Sequence, residues 1–95
     1  MITADRLREL LSYDPATGIF RWRVDRGGKA RAGTVAGVKA RDGIHIRVDS
    51  ENHSASRLAF LYMTGELPNG RLIQLDNNPF NLAWRNLHHA PGRAA

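Results

Sequence analysis

The apolar positions change period along the chain. Leu7, Leu10 and Leu11 recur at helical spacing, Thr3 stands where a cap belongs, and Asp5 falls in the first turn. The pattern predicts a short helix from Thr3 to about Ser12. Asp14-Pro15-Ala16-Thr17-Gly18 is turn chemistry and closes it. Period two then takes over. Phe20, Trp22 and Val24 alternate with Arg21 and Arg23, which predicts a half-buried strand with arginine on its wet face. Asp25 to Ala32 reads as a loop and Thr34 to Ala40 as a second strand. Asp42-Gly43 is a two-residue hairpin signal. Ile44, Ile46 and Val48 then alternate with His45, Arg47 and Asp49. Ser50-Glu51-Asn52 turns the chain, and His53 to Ala55 adds a short strand.

Helical spacing returns at RLAFLYM (57–63), with Leu58, Leu61 and Tyr62 on one side and Gly65 placed to end the helix. RLIQL (71–75) reads as a brief strand and Asp76-Asn77-Asn78-Pro79 as a loop. Phe80 to Leu87 reads as a last short helix, with a frayed tail from His88 onward. The expected fold class is α+β: a small antiparallel sheet with short helices. Its 95 residues suit one domain, made of a helix and turn (1–19), a basic sheet (20–55) and a C-terminal unit (56–90).

Composition narrows the function classes. No cysteine is present, so disulfide scaffolds and thiolate metal sites are excluded. No apolar run approaches the ~20 residues that span a bilayer. MITADRLRELL is charged and amphipathic, unlike a signal peptide, so no membrane and a cytoplasmic setting are expected. The net charge is +5, from 14 Lys+Arg against 9 Asp+Glu. The whole of the excess is local. Arg21, Arg23, Arg26, Lys29, Arg31, Lys39, Arg41 and Arg47 face only Asp25 and Asp42 between residues 20 and 47. Such a stretch suggests DNA, or an acidic protein surface, as partner. Arginine dominates it, and its planar fork grips phosphate or carboxylate in two places. Trp22 and Trp84 sit on the apolar phase of their elements, so core packing is expected before base stacking.

Four stretches together carry a resemblance: YDPATGIFRWR (13–23), AGTVAG (32–37), RLAFLYMTGELP (57–68) and PFNLAWRNL (79–87). The chain resembles the phage-type HNH homing-endonuclease family, specifically its small HNH-3 members. The resemblance implies a ββα-metal finger at the C-terminal end. There an Asp would bind a divalent ion such as Mg2+, and a His would take a proton from the attacking water. The family pattern runs I-D-H-I-N-G-D-x-x-D-N-x-x-x-N-L.

Against that pattern Ile73 matches the leading Ile, Gln74 falls at the metal-binding Asp and Leu75 at the base His, with a loop one residue shorter. Asn86 matches the retained Asn. The last ligand position is Ala95, and Ser56 replaces a His before Arg57. A neutral amide is a poor ligand for a hard cation, and leucine cannot accept a proton. The resemblance therefore implies a degenerate finger without catalytic residues or cofactor. Asp76 with His88 or His89 is the alternative metal set, under which the chain would nick DNA. The other reading of Asp76 is a loop residue bonding nearby amides, and Asn86 is expected to brace the DNNPFN loop.

Two partner readings remain open. One is DNA bound without cleavage through the basic segment, with Arg57 as a further phosphate contact or paired to Asp49 or Glu51. The other is a phage-encoded inhibitor of a host defence complex, of the anti-CRISPR type. A DNA mimic would be acidic, so an inhibitor of this charge would meet an acidic patch. A homodimer is compatible with either, since a small domain gains apolar burial by pairing.

Overall fold

The computed structural model describes residues 2–28 and 31–91. Its elements run α1 (Ala4–Leu10), β1 (Leu11–Asp14), β2 (Ile19–Trp22), β3 (Val38–Ala40), β4 (Gly43–Val48), β5 (Glu51–Ser54), α2 (Ala55–Thr64), β6 (Gly70–Gln74) and β7 (Leu87–Pro91). The class is α+β, as the alternating periods predict. The strands form three antiparallel sheets, β1–β2, β3–β4–β5 and β6–β7, in place of one small sheet. Among the described residues no helix is long and apolar enough to cross a membrane.

Helix α1 starts where expected, with Thr3 Oγ1 accepting from the Arg6 amide at 3.1 Å. It stops at Leu10, two residues early. Leu11 and Tyr13 turn inward as strand residues opposite Trp22 and Phe20. A strand pairing worth several backbone hydrogen bonds outweighs one more half-turn of helix. The intervening turn is held by Asp14, whose carbonyl accepts from Gly18 N–H at 2.6 Å.

The expected second strand is in two pieces. Val35 bridges Arg21 of β2, whereas Val38 to Ala40 pairs with β4. Gly37 joins them at φ 110°, and a Cβ there would lie 2.7 Å from Ile44 Cγ2. The β3–β4 turn is Arg41-Asp42, with Gly43 already paired to Ala40, one residue earlier than the sequence signal suggests. Asp49 and Ser50, both at positive φ, form the two-residue turn into β5. His53 faces the core side of β5 opposite Ile46, and its Nε2 has no hydrogen-bond partner.

Helix α2 lies between α1 and the β4–β5 hairpin and buries Ala55, Leu58, Ala59 and Leu61. These meet Leu7, Leu10, Leu11, Phe20, Trp22, Ile46 and Val48 in one core. Gly65 ends the helix in the left-handed region, φ 85°, its amide bonded to Leu61 O. Trp22 is a core residue. Trp84 is only half-buried, with its ring 6.0 Å from that of Phe60.

The last predicted helix is absent. Residues 84–86 form a single 3-10 turn, and Leu87 to Pro91 is strand β7, paired to β6. The amides of this segment are committed elsewhere. Asn81 N–H goes to Asn78 O, Ala83 N–H to Asn81 Oδ1, and Trp84 N–H to Pro15 O across the molecule. The predicted frayed tail is thus a paired strand as far as Pro91; residues 92–95, including Ala95, lie outside the described residues.

Candidate functional site

Residues 70–91 form a hairpin-like ribbon, β6 and β7, joined by the loop 75–86. Gln74 closes β6 opposite Leu87 and is half-buried; Leu75 begins the loop and is 63% exposed. Neither side chain has a group that takes a proton from water. The loop is built around Asn86, which is 8% exposed. Its Oδ1 accepts from Asp76 N–H at 3.1 Å. Its Nδ2 donates to Asp76 Oδ1 at 3.0 Å and to Asn81 O at 2.9 Å. Its carbonyl accepts from Leu75 N–H at 2.9 Å.

Asp76 is held by the same network. Besides Asn86, Asn78 N–H donates to Oδ1 at 2.8 Å and Asn81 Nδ2 to Oδ2 at 2.8 Å. These donors, Asn81 first, hold its carboxyl below the usual carboxylate range. His89 donates from Nε2 to Asn69 O at 2.9 Å and packs its ring 4.7 Å from Phe60. His88 is exposed on the other face of β7, opposite Ile73. Among the described residues no group of three His, Asp or Glu is placed to hold a metal ion, so Asp76, His88 and His89 are not assembled as one.

The basic residues are dispersed over several surfaces. Arg21 of β2 donates from Nη1 to Gly33 O at 3.0 Å, and Arg23, just beyond the strand, which ends at Trp22 and not at Val24, donates from Nη1 to Arg8 O at 2.7 Å. Both side chains are pinned by carbonyls, which fix their direction without neutralising them. Arg31, Arg41 and Arg47 are also exposed, and none is paired with a described carboxylate. Arg26 differs: its Nη2 is 3.9 Å from Asp49 Oδ1, and its guanidinium lies 5.6 Å from the Trp22 ring centre. Lys39 points to the opposite side of its sheet, with Nζ 5.2 Å from the Phe80 ring centre. Lys29 lies outside the described residues.

Asp49, named from the sequence as a partner for Arg57, is engaged by a different arginine. Arg6 grips it with two bonds, Nε to Oδ2 at 3.0 Å and Nη2 to Oδ1 at 3.1 Å. Arg6 and then Arg26 hold its carboxyl below the usual range. No local signal marks this pair, because Arg6 lies 43 residues away. Asp49 is therefore occupied by Arg6 and Arg26, and Arg57 stands exposed at the start of α2 beside Asn52 and His53. Comparison with family models, curated proteins and solved structures finds no match for this chain.

Proposed function

We propose that this chain is a non-cleaving HNH-type module that binds DNA through its phosphates. The observation that carries the reading is the outer face of β2. Arg21 within the strand and Arg23 immediately after it stand two residues apart, oriented by carbonyls and free of described carboxylates. Each keeps guanidinium donors for a phosphate, and a pre-oriented fork loses less entropy on binding.

The strand–loop–strand order of residues 70–91 supports a ββα ancestry for the C-terminal unit. Counting back from Asn86-Leu87 along the family pattern without a gap places Asn77 at its Gly and Gln74 at its base His. Asn77 has φ 63°, the left-handed backbone a glycine position serves. That conformation favours the gap-free register over a loop shortened by one residue. In either register the base position holds Gln74 or Leu75, and binding without hydrolysis follows.

The test is anisotropy of a labelled duplex across a salt series. Each phosphate contact contributes about −0.9 to the slope of log K against log salt. The Arg21→Ala, Arg23→Ala double variant should reduce that slope by about 2. Plasmid incubated with Mg2+ or Mn2+ should stay intact. Salt-independent binding, or a double variant that binds as the wild type does, would refute the phosphate face.

A further inference from the structure

A second surface lies on the outer side of the β3–β4–β5 sheet, where it meets β2. It is an open groove of about 600 Å³. Trp22, Val35, Val38 and Ile46 supply its apolar part, and Arg26 and Arg47 line it as well. Val38 is 73% exposed and Val35 58%, the first and third most exposed large apolar side chains among the described residues. Gly37 lies between them and adds no side chain, which keeps the floor open. Two exposed β-branched residues side by side, ringed by arginine, are unusual for a face that meets only water.

The charge of the groove is cationic. Its carboxylate, Asp49, is already gripped by Arg6 and shared with Arg26. His45 is bonded through Nε2 to Asp42 Oδ1 at 2.8 Å. Arg47 pairs with no described carboxylate, and Arg21 flanks the floor at its bridge with Val35. A nucleic acid suits this lining poorly. The exposed floor is aliphatic and the Trp22 ring is buried with the Arg26 guanidinium over it, so bases find no open ring face to stack on, and phosphates would be desolvated against valine.

We infer that this groove binds an extended acidic segment of a protein partner, with apolar side chains on Val35 and Val38 and carboxylates on Arg47 and Arg26. An extended chain presents alternate side chains at the spacing a strand surface offers, and the arginine forks match carboxylates in two places. The groove adjoins the phosphate-binding face at Arg21, but the inference rests on Val35, Val38, Arg26 and Arg47, which that reading does not use.

A capped decapeptide of alternating Glu and Leu is the probe, titrated into the 15N-labelled full chain. Saturable shifts are expected at the amides of Val35, Val38 and Arg47 and at the Trp22 indole N–H. The matching Lys/Leu and Glu/Ser peptides should leave these signals unmoved. Val38→Ser and Arg47→Ala, both at exposed positions, should each weaken binding by about ten-fold with an unchanged melting temperature. Equal binding of the Lys/Leu peptide, or wild-type affinity in Val38→Ser, would overturn the inference. So would duplex DNA shifting the same amides in place of the peptide.

Discussion

Replacing Asn86 by Ala isolates what holds the 75–86 loop. The substitution deletes three side-chain hydrogen bonds, two to Asp76 and one to the Asn81 carbonyl. Each contributes about 1 kcal/mol net, and a group left without a partner in a part-buried setting costs about 1–3 kcal/mol. Asp76 reaches solvent and recovers part of its loss there. The expected destabilisation is therefore about 2–3 kcal/mol, which for a chain this size lowers Tm by roughly 10–20 °C. Urea unfolding followed by circular dichroism measures it, and the m-value should stay constant, because the surface exposed on unfolding hardly changes. Asn78→Ala is the control. It removes Oδ1 as acceptor for the Phe80 amide on an exposed loop and should cost under about 1 kcal/mol. If Asn86→Ala shifted the midpoint no more than Asn78→Ala, Asn86 would not be what braces the loop.

Three further outcomes follow from particular contacts. At Gly18, φ is 80° and an added Cβ would lie 2.2 Å from the Leu82 carbonyl carbon, so Gly18→Ala should destabilise by roughly 3 kcal/mol or more, whereas Gly27→Ala, with open space around it, should cost about 1 kcal/mol, both read by thermal melts. Burial, then Asp14, raises the Tyr13 phenol to about 12; its folded value is above the unfolded one of about 10, so the stability it adds is complete below pH ~10 and is lost as pH rises toward 12. Absorbance at the phenolate band should therefore show Tyr13 ionising late, together with unfolding, and ionisation of Tyr13 near pH ~10 in the folded chain would contradict this. The Asp76 carboxyl is lowered by Asn81, Asn78 and Asn86, so its contribution is present above pH ~4 and lost as pH falls through its folded value; an acid titration of Tm should be shallower for Asp76→Asn than for the wild type.

The legible parts of the fold are those where local pattern and tertiary packing agree. Phe20 and Trp22 alternate with Arg21 and Arg23 in sequence, and they divide the same way between core and solvent. Helix α2 has its apolar face and its glycine stop written within the segment, although it begins at Ala55, two residues before the predicted start, where a strand was expected. What escaped reading is imposed from outside the segment. Leu10 and Leu11 fit one helical face, yet Leu11 leaves it because Trp22 offers a strand partner. Leu-His-His-Ala-Pro has little intrinsic strand preference and becomes β7 only against β6. The 80–87 helix fails because Pro15, far off in sequence, takes the Trp84 amide. Charge behaves likewise. The run of cations between 20 and 47 is plain in the sequence, but its partition is not: Asp49 engages Arg26, and Lys39 covers Phe80 on the far side of its sheet.

The contact between the turn at 15–18 and residues 82–84 also governs the order in which the chain can fold. Tyr13 donates to the Leu82 carbonyl across 69 residues, and the Gly18 backbone lies directly against that of Leu82 and Ala83. The hairpins β1–β2, β3–β4 and β4–β5 close over short loops and need nothing downstream. The side of the core that Leu82 covers has to wait. On the ribosome, where N-terminal parts emerge first, that side stays open until the chain has been made almost to its last strand. A loop closure of this length is slow compared with hairpin formation, so the docking of residues 82–84 completes the domain in one late step.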